Sequence, residues 1–253
     1  MTDKDILKIL HFTDTHLAAD AGKTYYGVNT DESLGRVIRY TLDHYPHAEL
    51  SLVTGDLVHD ETEAGYESLR KHFELLDMPV LCLPGNHDLP GIMKKILDSG
   101  KVQVTRSMIK KSWQIILLDS TAPGEVGGHL NHYELDKLDH YLSENPEYHA
   151  LICLHHPPFL TGSHWLDNGL ILDNPGDLFA VLDLHEQVRC VLWGHIHQEF
   201  NTTRNDVNYI ATPSTMIQFK PDSYDFAVDD KPPGFRWLDL YPDGQIKTGV
   251  VYI

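Results

Sequence analysis

Cysteine is scarce in this chain of 253 residues: Cys82, Cys153 and Cys190 are the only three, an odd count with no C-x-x-C spacing. That excludes a disulfide-dense scaffold and a thiolate-rich zinc site. Each thiol lies inside an apolar run (VLCL, ALICL, RCVLW), so three buried free thiols in a reducing, cytoplasmic setting are expected. Long hydrophobic runs are also missing. No stretch approaches the roughly 18 apolar residues of a membrane span, and no charged segment followed by an apolar one opens the chain, so no membrane partner is expected. Basic residues are outnumbered, 20 Lys and Arg against 37 Asp and Glu, for a formal charge of −17. A polyanion such as DNA would be repelled over most of the surface, which argues against a nucleic-acid partner. A small anionic substrate is still compatible, because cations at a site outweigh distant charge screened over about 8–10 Å. Repeats, low-complexity tracts and linkers are lacking too, and residues 1–253 read as one domain.

What is present is a series of short apolar runs rich in Ile, Val and Leu: ILKILHF, ELSLVTG, PVLCLPG, WQIILLDS, HALICLHH and VRCVLWGH. Their length suits strands buried on both faces. Helical spacing lies between several of them. Asp31 to Tyr45 places Leu34, Val37, Ile38 and Leu42 on one face, with Asp31 or Ser33 as N-cap, and Thr62 to Leu76 and His132 to Leu142 read alike. Pro175-Gly176-Asp177 opens a further helix through Leu184. After His197 the pattern shortens and alternates, and Pro-Asp-Gly at 242–244 marks a hairpin. The expectation is a layered, mixed α/β fold with a largely βα front and an antiparallel back.

Polar clusters follow five of the apolar runs: Asp14-Thr-His16, Gly55-Asp56, Gly85-Asn86-His87-Asp88, His155-His156 and Gly194-His195-Ile-His197. Loops leaving strand ends are where α/β folds place ligands and catalytic groups, so one site built from five strand ends is the economical reading. In D-x-H and H-x-H, an extended backbone would point both side chains to the same side, toward one cation or two adjacent ones. Gly55, Gly85 and Gly194 precede these residues, where the backbone must turn or be approached closely. The donors are oxygen and imidazole without thiolate. That set suits Fe, Mn, Zn or Co better than Ca or Mg.

The ordered set D-x-H, GD, GNHD, a later His and GHxH resembles the calcineurin-like metallophosphoesterase superfamily. FTDTHL, YYGVNTDES, LPGNHD, SHWLDN, GHIHQE and ATPSTMIQFKP resemble its bacterial class III 3′,5′-cyclic-AMP phosphodiesterases. The resemblance implies a four-layer αββα sandwich. It also implies two divalent metal ions, with Fe and Mn favoured: Asp14, His16 and His197 on the first, Asp56 bridging, and Asn86, His155 and His195 on the second. The implied activity is hydrolysis of cyclic AMP to 5′-AMP by in-line attack of a bridging hydroxide. Asp56, Asn86 and His87 take part in catalysis, and substrate meets His16, Asp56, Asn86, His87 and His197. His87 would contact the phosphate and protonate the leaving oxygen, while Asp88 orients that imidazole or supports it from behind. His156 is the alternative to His155.

A single Asp or His after a strand is usually a cap or a solvated loop residue, and only the five clusters in order outweigh that reading. Other residues that could reach the pocket are His59, His164, Trp165 beside an adenine, and Thr212, Ser214 or Lys220 toward substrate. Two rival functions are a broad phosphodiesterase or phosphomonoesterase on the same core, and a protein-binding scaffold.

Overall fold

The structure, a computed structural model, describes residues 3–253. Two six-stranded sheets face each other. The first contains β1 (Leu7–Phe12), β4 (Leu50–Thr54), β5 (Val80–Leu83), β6 (Val102–Gln103), β15 (Gly234–Leu240) and β16 (Ile246–Tyr252), in the order β16-β15-β1-β4-β5-β6. The second contains β7 (Ser107–Lys110), β8 (Trp113–Leu117), β9 (His149–Cys153), β10 (Val188–Trp193), β11 (Phe200–Arg204) and β12 (Val207–Ala211), in the order β11-β12-β10-β9-β8-β7. Small hairpins, β2–β3 (Thr24–Tyr25 and Val28–Asn29) and β13–β14 (Gln218–Phe219 and Val228–Asp229), stand apart from the sheets. Helices α1 (Thr30–His44), α2 (Glu63–Phe73) and α3 (Pro90–Leu97) share an apolar cluster with the first sheet; α4 (His132–Glu144) and α6 (Pro175–Leu182) share one with the second, and α5 (His164–Asp167) is a single turn.

The period of two in the strands builds these layers. Leu7 and Ile9 of β1 point between the sheets and meet Leu52, Leu81, Leu151 and Leu192, whereas Leu10 and Phe12 point toward the helices. The result is the αββα sandwich with mixed sheets that the sequence implied. Among the described residues, no helix is long and apolar enough to cross a membrane, and all three cysteines are buried and free.

Three expectations need correction. The cap of α1 is Asn29, whose side chain accepts the Glu32 N–H at 3.0 Å, so neither Asp31 nor Ser33 fills that position. The buried stripe of α1 runs through Leu34, Val37, Ile38 and Thr41; Leu42 lies about 100° further round the helix and is 38% exposed. The C-terminal third is not wholly antiparallel. β12 pairs parallel with β10, and the β15–β16 hairpin, turned at Gly244 (φ 86°), joins β1 in the first sheet.

His11, fully buried on the inner face of β1, ties the sheets together: Nδ1 lies 2.5 Å from Thr212 Oγ1 and Nε2 2.7 Å from Thr54 Oγ1. Burial and the Arg236 charge push its pKa down to about 3. Because the folded value is depressed, the stability this neutral ring contributes is complete above the unfolded value of 6.5 and is lost as pH falls from there toward 3. His11→Leu should cost about 1–3 kcal/mol by leaving two buried hydroxyls unpaired. It should also flatten the acid side of the stability curve, and urea melts from pH 7.5 down to pH 5 check both.

Candidate dimetal centre

Because β1, β4 and β5 run parallel in one sheet and β9 and β10 in the other, their C-terminal ends gather the five polar clusters at one edge of the sandwich. The first sheet delivers Asp14, His16, Asp56 and Asn86. The second delivers His155, His195 and His197.

The local backbone is strained for this purpose. Asp14, His16, Asp56, His195 and His197 all have φ between 45° and 66°, in the left-handed region. Each costs on the order of 1–2 kcal/mol, less for Asp and His than for branched residues. The D-x-H and H-x-H pairs are therefore not extended, as their spacing suggested; they curl. Asp14 N–H donates to Gly55 O at 3.0 Å and His16 N–H to Asp56 O at 2.9 Å, which frees the side chains to converge. Gly55 is itself left-handed at 87°, while Gly85 and Gly194 are glycines for want of space. A Cβ at Gly85 would strike the backbone of Asp56, and one at Gly194 would strike the Thr13 hydroxyl.

The donors form two groups joined by Asp56. In the first, His197 Nε2 lies 3.3 Å from Asp14 Oδ1 and 3.4 Å from His16 Nε2. In the second, His155 Nε2 lies 3.2 Å from His195 Nδ1 and 3.3 Å from Asp56 Oδ1. Asp56 turns its other oxygen, Oδ2, toward His16 Nε2 at 3.7 Å, so its two oxygens face different groups. Two atoms each about 2.1 Å from a shared cation stand roughly 3.0–3.4 Å apart, so these spacings fit metal ligands. Asn86 adds a carbonyl oxygen, Oδ1, that is buried without a hydrogen-bond partner among the described residues. The residues fit a pair of cations.

Partners on the far ring nitrogens orient the imidazoles. His155 Nδ1 meets Thr54 O at 2.8 Å and His197 Nδ1 meets Ile217 O at 2.9 Å, which fixes both as Nδ1–H donors and leaves each Nε2 lone pair facing the cluster. His59 meets His16 on its far ring nitrogen, with the two Nδ1 atoms 3.2 Å apart, so that one ring donates to the other. His156 is engaged on both sides, by Ser120 Oγ at 2.8 Å and Val126 O at 3.1 Å. No lone pair of its ring is left for a metal, and the geometry favours His155.

Electrostatics point the same way. Asp14 and Asp56 are buried, which alone would raise them, yet the neighbouring histidines hold both below the ordinary carboxylate range. Burial would lower His155, but Asp56 and Asp14 lift it to about 9. The two carboxylates thus favour positive charge beside His155, which a bound cation would supply. His156, desolvated and beside His195 and His155, is held well below its usual value. His155→Ala should accordingly remove one of two metal equivalents, whereas His156→Ala should retain both and lose stability instead. Elemental analysis beside thermal melts separates the variants, and the reverse pattern would move the ligand to His156.

His87 stands at the rim. Its backbone N–H donates to Asp56 Oδ1 at 2.9 Å, and its ring stacks on His59 at 4.8 Å and meets His16 edge-on at 5.0 Å. Asp88 has a different task from the one expected. Its carboxylate makes no hydrogen bond to the His87 ring; it accepts from the N–H groups of Gly85, Leu57 and Val58 and from Tyr66 O–H, bracing the loops that carry Asp56 and Asn86. Tyr66 also accepts from Leu89 N–H, a role that no local pattern in α2 announces.

The remaining candidates have the following partners. Thr212 bonds His11, and Ser214 O–H donates to Asp14 O at 2.8 Å, holding that ligand from behind. The backbone N–H of Lys220 donates to Ala227 O beside the β13–β14 hairpin, and its side chain is exposed. His164 stacks on Tyr224, and Trp165 packs edge-on against Phe219 and Phe226 while its indole N–H reaches Ser223 Oγ.

Comparison with known proteins agrees with this geometry. The chain is 41% identical to a 3′,5′-cyclic-nucleotide phosphodiesterase of Nostoc sp. over 99% of its own length and 94% of that protein's. It is 39% identical to the 3′,5′-cyclic adenosine monophosphate phosphodiesterase CpdA of Escherichia coli, over 96% of this chain and 89% of that one. Among solved structures, a dimetal phosphatase from Danio rerio superposes with a TM-score of 0.68 at 14% identity, covering 96% of this chain and 98% of that one, a likeness of fold alone. Residues 7–199 match the calcineurin-like phosphoesterase family, and with strand ends, ligand order and glycines all in place, the chain belongs to that family.

Proposed function

We propose that this protein is a metal-dependent phosphodiesterase that hydrolyses 3′,5′-cyclic AMP to 5′-AMP, with residues 1–253 acting as one catalytic domain. The observation that carries the reading is the convergence of seven donors, Asp14, His16, Asp56, Asn86, His155, His195 and His197, into two groups shared through Asp56. Likeness over nearly the full length to proteins named for cyclic-nucleotide hydrolysis supplies the substrate.

Two bound divalent cations, Fe or Mn being favoured by the imidazole–carboxylate donor set, supply Lewis-acid charge and lower the pKa of attacking water. Asp14, His16 and His197 would hold one and Asn86, His155 and His195 the other, with Asp56 placed between the two groups. His87 delivers a proton to the departing O3′ as the P–O3′ bond breaks and a water oxygen takes its place on phosphorus. His59 keeps the His87 ring in position by stacking, and Asp88 keeps the Asn86 loop in register with the Asp56 loop. Three buried thiols suit a reducing cytoplasm.

A broader phosphodiesterase or phosphomonoesterase is the second reading, since no ligand of the core touches a base. A scaffold is disfavoured by the complete donor set. A panel of cyclic AMP, cyclic GMP, 2′,3′-cyclic AMP, a linear diester and a monoester separates these. Cyclic AMP should give the highest kcat/KM; a monoester in first place would support the second reading, and no turnover with metal bound would support the scaffold.

A further inference from the structure

The stretch YYGVN folds into the β2–β3 hairpin and supplies none of the seven donors. Its turn is Tyr26-Gly27, with φ of 50° and 81°. Both values are left-handed, the backbone of a two-residue hairpin turn that Asn-Gly fills with little strain. A bulky aromatic residue is strained at positive φ. The Tyr26 ring is also 65% exposed, so burial in the core does not offset that strain. Strain kept at a solvent-facing tip points to a use outside the fold.

Ring contacts tie this hairpin to the candidate centre at two points. Tyr25 lies against His59, with ring centroids 3.9 Å apart, and His59 in turn contacts His87 and His16. His197 is the other histidine beside His16. Phe219 stacks on His197 at 4.0 Å with the planes 6° apart, and Phe226 meets Phe219 at 5.4 Å. Tyr26 and Phe226 then meet at 5.4 Å, closing an arch of rings that begins at His59 and ends at His197. Trp165 holds Phe226 edge-on at 5.2 Å. Even so, Phe226 is 43% exposed, and the two rings at the crown of the arch share an uncovered aromatic surface. On the phosphodiesterase reading, O3′ departs on the His87 side, so the ribose and base extend past His87 and His59 toward this hairpin. A purine offers a flat π-face, and aromatic side chains stack on such faces. We propose that Tyr26 and Phe226 form the stacking platform for the purine of the substrate and thereby set specificity for cyclic purine nucleotides. Stacking reads ring area and not the substituent at position 6, so the platform favours adenine and guanine alike over pyrimidines.

This inference rests on the phosphodiesterase reading, and two arms separate their fates. Tyr26→Asn suits the left-handed turn while removing the ring, Phe226→Leu removes the second ring, and Tyr26→Trp keeps an aromatic face. In the first arm, kcat and KM are measured on metal-loaded protein for cyclic AMP, cyclic GMP and ribose 3′,5′-cyclic phosphate, which has no base. Tyr26→Asn and Phe226→Leu should each raise KM for both purine nucleotides by roughly tenfold, the usual worth of one base–aromatic stack, with the loss in KM and not in kcat. The preference for cyclic AMP over the baseless substrate should fall by the same factor, Tyr26→Trp should retain it, and Tyr26→Asn should melt no lower than the wild type. In the second arm, adenosine is titrated by ligand-observed NMR, a readout that needs no turnover. The wild type and Tyr26→Trp should bind it, and Tyr26→Asn should bind it roughly tenfold more weakly. An unchanged preference for cyclic AMP in Tyr26→Asn and Phe226→Leu, or equal adenosine binding by the wild type and Tyr26→Asn, would overturn the platform. Absence of turnover by the metal-loaded wild type would instead refute the phosphodiesterase reading, and the adenosine titration would still decide the platform.

Discussion

His87→Ala is expected to slow cyclic AMP hydrolysis by roughly 10²–10⁴-fold, the usual worth of a positioned general acid, with both metals still bound. The ring is held by stacking on His59, while the backbone N–H of His87, which an alanine keeps, donates to Asp56; the ring supplies none of the seven donors, so its loss should leave the ligand groups intact. Leaving-group chemistry then identifies what the ring does. A ribose 3′-alkoxide departs poorly without a proton, whereas a nitrophenolate departs unaided. If His87 is the proton donor, the variant should be far less impaired on bis-nitrophenyl phosphate than on cyclic AMP. Equal losses on the two substrates would assign it to charge stabilisation on the phosphoryl oxygens instead.

Asp56→Ala should be more damaging still. Asp56 is the one side chain whose two oxygens face different donor groups, Oδ1 toward His155 and Oδ2 toward His16, and its Oδ1 also receives the His87 N–H. Removing it would deprive both cations of a ligand and loosen the backbone that carries His87. Loss of a single transition-state donor commonly costs about 10²–10³-fold, so a fall in kcat beyond roughly 10³-fold is expected, together with loss of more than one metal equivalent per chain. An Asp56→Ala protein that folds, as circular dichroism would report, and keeps both metals would remove this residue from the bridging position. Asp56→Asn, which preserves volume and one carbonyl oxygen, should retain one metal better than the alanine variant does.

Much of this site is legible in the chain because its parts are short and ordered. Five apolar runs of strand length each end in a polar cluster, and parallel strands can only deliver such ends to one edge. A layered α/β fold, the buried thiols and the gathering of the eight residues around the centre follow from that, while the four-layer sandwich follows from the family resemblance. The conformation of the ligands does not. D-x-H reads as an extended pair, yet Asp14 and His16 are both left-handed, because the peptide must turn to donate to Gly55 O and Asp56 O across the neighbouring loop. That contact is between residues about forty positions apart, and local spacing carries no trace of it. Asp88 is a similar case: its adjacency to His87 suggests an imidazole partner, but the donors that claim it come from Tyr66 on α2 and from the loop after β4. His11, hidden inside ILKILHF, shows its role only once two sheets are packed face to face. Leu42 departs from the expected face for a smaller reason: the buried stripe ends on Thr41.

The most direct measurement is metal content and turnover on the same samples: elemental analysis of the protein as purified, after chelation, and after addition of Mn²⁺ or Fe²⁺, each assayed on cyclic AMP. Two metal ions per chain should accompany activity, chelation should abolish both, and restoring the ions should restore hydrolysis in proportion. Undiminished turnover by protein from which metal has verifiably been removed would contradict the dimetal centre.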